Sequence, residues 1–152
     1  MVTSSARRVC VFSQRQLSSH LSRCGIHEFE DLIAGSFEPA DLVAPRAGGL
    51  TPWRLKLRNQ LSRRLGAAGA LVGSGVQAPR PTGNYDLFFF YVGLVRDLLT
   101  LDAVPDWRRR AGKAICWLQE LWVDDIARCG RQLDILNRFD HVICAMAGTV
   151  PA

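Results

Sequence analysis

The sequence lacks the features that would assign most enzyme and membrane classes at sight. No apolar run approaches the ~20 residues that span a bilayer, and near the start only Val9 to Phe12 are apolar before Ser13 interrupts. A secretory signal needs a longer apolar segment than that, so the expected compartment is the cytoplasm. There is no nucleophile elbow, Walker A loop or HExxH pair, which removes support from the hydrolase, phosphotransferase and metalloprotease readings those motifs carry. The five cysteines (Cys10, Cys24, Cys116, Cys129 and Cys144) are odd in number and form no CxxC pair, so neither a disulfide framework nor a zinc site is expected. Lysine is scarce too: of 19 lysines and arginines only Lys56 and Lys113 are lysine. Guanidinium binds phosphate in a bidentate fork, but a GC-rich genome produces the same bias.

What is present suits one folded domain. The chain has 152 residues, 48% of them hydrophobic, and a net charge of +5, which fits a globular composition and not a disordered one. Continuous apolar runs, apolar on both faces, suit strands of a buried parallel sheet. Such runs occur at Val9–Phe12, Asp41–Ala44, Leu87–Val92, Ala114–Leu118 and Asp140–Ala145. Between them lie helical patterns at 17–24, 28–34, 94–101 and 126–139. A further helix is expected from Thr51-Pro52, an N-cap hydroxyl followed by proline, with Trp53, Leu57, Leu61 and Leu65 along one face. Strands alternating with helices imply right-handed crossovers. The expected fold is α/β, a Rossmann-like parallel sheet of about five strands with helices on both faces, in one domain over 1–152. The Gly/Pro-rich stretch 66–83 reads as a flexible loop.

In such a sheet, ligands bind outside the carboxyl ends of the strands. That directs attention to Ser13–Ser19, Tyr91–Arg96, Gln119–Asp125 and Ala145–Thr149. Ser13, Gln14, Gln119, Gly148 and Thr149 are the candidate substrate-binding residues. Glu120 at a strand's end and His20 after the first strand are the candidate general bases. Gly73-Ser74-Gly75-Val76-Gln77-Ala78 formally matches the dinucleotide fingerprint, but Pro79 and Pro81 prevent the helix that must follow it. Asp124-Asp125 reads as a helix start favoured by the dipole, and no bound metal is expected. The basic helix Trp53–Arg64 packs an apolar stripe on the sheet in the simplest reading; peripheral contact with an anionic membrane is the alternative, and nucleic acid is not expected.

The second half of the chain carries a family resemblance. Tyr85-Asp86-Leu87-Phe88-Phe89-Phe90, Arg96-Asp97-Leu98-Leu99, Leu101 to Arg108, Lys113 to Trp122, Phe139 to Cys144 and Ala147-Gly148-Thr149 together resemble the N-terminal half of bacterial GT-B-type glycosyltransferases. The resemblance implies an acceptor-side domain of a two-domain enzyme, here truncated before its donor-binding half. Such enzymes move a sugar from a nucleotide-sugar co-substrate to a hydroxyl acceptor and hold no bound cofactor or metal. Whether this chain alone is an enzyme is left open by that resemblance. The alternatives are a non-catalytic Rossmann-like binding or regulatory module, or an inactive gene fragment. A receiver-type regulator needs an acidic cluster after its first strand, where this chain has Ser13-Gln14-Arg15-Gln16.

Overall fold

The computed structural model describes residues 7–17, 24–37, 39–48, 60, 76–77, 81, 83–104, 106–122 and 126–146. Among the described residues there are seven strands: β1 (Val9–Phe12), β2 (Ala40–Val43), β3 (Arg46–Ala47), β4 (Val76–Gln77), β5 (Tyr85–Leu94), β6 (Ala111–Glu120) and β7 (His141–Cys144). Helix α1 (Cys24–Ser36) follows β1, and α2 (Gly130–Leu136) precedes β7. Two 3-10 segments, Val95–Ala103 and Arg108–Arg110, connect β5 to β6.

Five strands form one sheet in the order β2-β1-β5-β6-β7, and every neighbouring pair is parallel. The fold is therefore α/β with a five-stranded parallel sheet, as the apolar runs implied. Counting only these strands, the order is 2-1-3-4-5, that of the flavodoxin-like doubly wound sheet. β3 and β4 form a separate antiparallel ribbon, Arg46 opposite Gln77 and Ala47 opposite Val76. Val76–Gln77 thus form a strand inside the stretch read as a loop, where the dinucleotide fingerprint would need a helix.

The alternation of side chains along each strand divides the core into two layers. Val9, Val11 and Phe89 face α1 and pack with Phe29, Ile33, Leu87, Ile115 and Trp117. Cys10, Phe12, Phe88, Phe90, Cys116 and Leu118 face the other way, against Leu98, Leu101, Trp107, Ile135 and Phe139. Helical segments cover both faces. The burial of Cys10 and Cys116 pushes each thiol up to about 12, so these are core residues and not nucleophiles at neutral pH.

The helical segments differ from expectation. α1 contains the pattern seen at 28–34; of the stretch 17–24, residues 18–23 lie outside the described residues, Leu17 lies in a turn and Cys24 is the first described residue of α1. Leu94, expected to open a helix, instead ends β5, and the following nine residues wind as a 3-10 helix. In the 126–139 stretch Ile126 is helical and Gly130–Leu136 form α2, with a turn between them in which the Cys129 N–H donates to Ile126 O. The basic helix expected over Trp53–Arg64 lies outside the described residues, apart from Gln60. Among the described residues no helix is long and apolar enough to cross a membrane.

Candidate functional site at the carboxyl ends of the strands

β1 lies between β2 and β5, and the chain builds the sheet outward from it in both directions. Connections leaving β1 and β5 therefore diverge at their carboxyl ends, and this divergence opens the crevice of a doubly wound sheet. β1, β5 and β6, adjacent in the sheet, leave it on this side through residues 13–17, 95–100 and 121–122.

The β1 exit is densely tied down. Ser13 is fully buried and donates its hydroxyl proton to the Glu30 carboxylate of α1. The backbone N–H and Nε of Arg15 both donate to Ser13 Oγ at 3.2 Å. The Arg15 guanidinium also reaches Glu30 at 3.3 Å and Asp31 at 2.7 Å. Burial pushes the Glu30 carboxyl up to about 7, opposed by the Ser13 and Arg15 hydrogen bonds. Its other oxygen has no hydrogen-bond partner among the described residues. Gln14 is 4% exposed, and its Nε2 donates to Asp97 O at 2.9 Å and Thr100 Oγ1 at 3.1 Å. It thereby ties the β1 exit to the 3-10 segment after β5.

Of the residues singled out from the sequence, Ser13 and Gln14 stand at this crevice, engaged as described. Glu120 is half-buried at the end of β6, in register with Leu94, and Gln119 before it is exposed. His20, Gly148, Thr149 and the pair Asp124-Asp125 lie outside the described residues. Among the described residues no three His, Cys, Asp or Glu side chains cluster as a metal site. Glu30 went unnoticed in the sequence, because an acid in an amphipathic helix normally faces water; only packing against β1 buries it. Trp122, the last residue of the Lys113–Trp122 run, is 57% exposed just past β6. Arg96, past β5, is 61% exposed in its side chain and 3.9 Å from Asp97.

No family model matches the chain, and no curated protein matches it in sequence. Among solved structures it is similar to a flavoprotein in complex with FMN from Lactobacillus acidophilus NCFM, at a TM-score of 0.46 and 7% identity. The alignment covers 93% of this chain and 94% of the other. That structure is a flavoprotein and not a glycosyltransferase, so the expected membership in the GT-B glycosyltransferases is withdrawn. The phrases that carried that resemblance are largely core: Phe88, Phe90, Trp107, Cys116 and Leu118 are each 2% exposed or less. Such runs are what any buried parallel strand requires. The expectation of no bound cofactor, which rested on the same resemblance, is withdrawn with it, since the similar structure holds FMN.

Proposed function

We propose that this chain is a single-domain binding module that takes a planar, phosphorylated ligand of the flavin mononucleotide type at the β1/β5 crevice. The observation that carries the reading is the strand order, whose reversal at β1/β5 is where the flavodoxin-like arrangement binds FMN. Two exposed side chains at that rim suit such a ligand. The Trp122 indole offers an apolar face on which a ring system can stack, and Arg96 offers a guanidinium to a phosphate. Ser13, Gln14 and Arg15 are positioning residues in this reading, because their polar groups are engaged with Glu30, Asp31, Asp97 and Thr100. When bound, FMN would supply electron-transfer chemistry that the side chains lack.

Titration of the protein into FMN, followed by quenching of flavin fluorescence, tests this. Binding is expected in the micromolar range or tighter. Trp122→Ala should weaken it about tenfold through lost ring contact, while leaving the melting temperature unchanged. Riboflavin, which lacks the phosphate, should bind more weakly than FMN, and Arg96→Ala should remove that difference. No binding up to millimolar FMN, or preferential binding of a nucleotide-sugar, overturns the reading.

A further inference from the structure

A second concavity lies at the opposite, amino-terminal ends of the strands, on the face that α1 covers only in part. It has a volume of about 440 Å³ and is lined by Arg7, Val9, Phe37, Asp86, Leu87, Lys113, Ile115 and His141, within the size range of small-molecule sites. Strand register explains how it forms. Val9 pairs with Leu87, Leu87 with Lys113, and Ile115 with His141, so β1, β5, β6 and β7 each contribute to one floor. Period-two alternation puts Lys113 on the same face as Ile115 and Trp117, a face otherwise built from apolar residues. Phe37, immediately past the end of α1, walls one side.

Charge on this lining is uneven. Arg7 and Lys113 are exposed cations beside an apolar floor, and among the described residues neither is in a salt bridge. Asp86 is the one acid on the lining, and its Oδ2 already accepts the Arg8 backbone N–H at 2.8 Å. Asp140, beside His141, is held by Arg108 at 3.1 Å and by the Ala114 N–H at 2.7 Å. Asp86 and Asp140 are thus held first by hydrogen bonds from other groups; Lys113 feels the Asp140 charge without forming a salt bridge to it, and lies exposed next to aliphatic surface. Lysine near the start of a strand's packed face is costly unless its charge meets water or an anion.

We infer that the cavity formed by Val9, Phe37, Leu87 and Ile115, with Lys113 and Arg7 at its mouth, binds a small organic monoanion with an apolar body, such as an aryl or medium-chain alkyl carboxylate. The apolar body would displace water from the strand floor, and the carboxylate would pair with the two cations. This site is separate from the crevice at the other ends of the strands and does not depend on the flavin reading.

Calorimetric titration with decanoate and with decanol, on the full chain, tests the inference. Decanoate is expected to bind at least about fivefold more tightly than decanol, as two partly exposed charge pairs allow. Lys113→Glu, at an exposed position, should abolish that preference, read as the ratio of decanoate to decanol affinity in the same variant. Trp122→Ala should leave decanoate binding intact, which separates a failure here from a failure at the crevice. Equal affinities, or no decanoate binding up to millimolar, overturn the assignment. So does a concentration-dependent dimer that Lys113→Glu dissociates, because a second copy would then occupy the face.

Discussion

At the scale of single residues, Glu30 departs furthest from ordinary behaviour. Its carboxyl is withdrawn from water against β1 and titrates near 7, up from 4.5. An acid whose folded value is raised holds its proton longer folded than unfolded, so between pH 4.5 and 7 the native state binds more protons. Stability from this group is therefore full below about 4.5 and falls as pH rises through 7, by an amount of the order of 3 kcal/mol. Glu30→Gln, which keeps the shape and cannot ionise, should flatten that slope. Denaturant midpoints of the two proteins at pH 5 and pH 8 provide the measurement, and parallel pH dependences would contradict it. Because Ser13 and Arg15 share this carboxyl, the same proton also sets how the β1 exit is held.

At the scale of elements, the 3-10 segment and α2 are joined by an ion pair out of water. Arg131 and Asp102 meet at 2.6 Å with side chains 6% and 12% exposed. Arg131 Nε has no further partner among the described residues, so its charge rests on Asp102. Asp102→Ala should cost about 3–5 kcal/mol by leaving that guanidinium uncompensated. Replacing both residues with apolar ones should restore most of the loss, as a double-mutant cycle in urea would read. A comparable exposed clamp joins the starts of β6 and β7: Asp140 accepts from Arg108 and from the Ala114 N–H, and these hold its carboxyl below the usual range. Glycine matters at one contact between elements. A side chain at Gly93 of β5 would meet the terminal methyl of Ile26 at 2.9 Å, so Ile26 of α1 packs directly over the bare backbone there.

At the scale of the whole molecule, one aromatic cluster joins the parts. Phe88 of β5 stacks near Phe12 of β1 (6.1 Å between centroids), Trp107 before β6 (4.9 Å) and Phe139 before β7 (6.4 Å). Phe88→Ala should therefore cost about 3–5 kcal/mol and lower the unfolding transition as a single cooperative step, measured by calorimetry. Two separated transitions would show that the β1 and β7 sides of the sheet are independent. Among the described residues β7 is the outer strand of the sheet, with Val142 44% and Ile143 43% exposed.

The apolar runs were sufficient to locate all five strands of the main sheet: β1, between β2 and β5, is buried on both faces and leaves no room for polar residues, while β7 is apolar in sequence although its side chains are largely exposed. They also implied parallel pairing, since helical patterns lay between them. Helix type was less legible: Val95–Ala103 has helical spacing, yet it winds as 3-10 while burying Leu98, Leu99 and Leu101. The crevice could be located only as a set of strand ends, from which Ser13 and Gln14 followed but Glu30 did not. Period two and hydrophobicity, which the chain carries locally, determined the strands and the core. The order β2-β1-β5-β6-β7, the burial of a helix acid under Ser13, and the alignment of Lys113 with an aliphatic floor were decided only in three dimensions. Each depends on which distant segment lies alongside, and no local pattern encodes that.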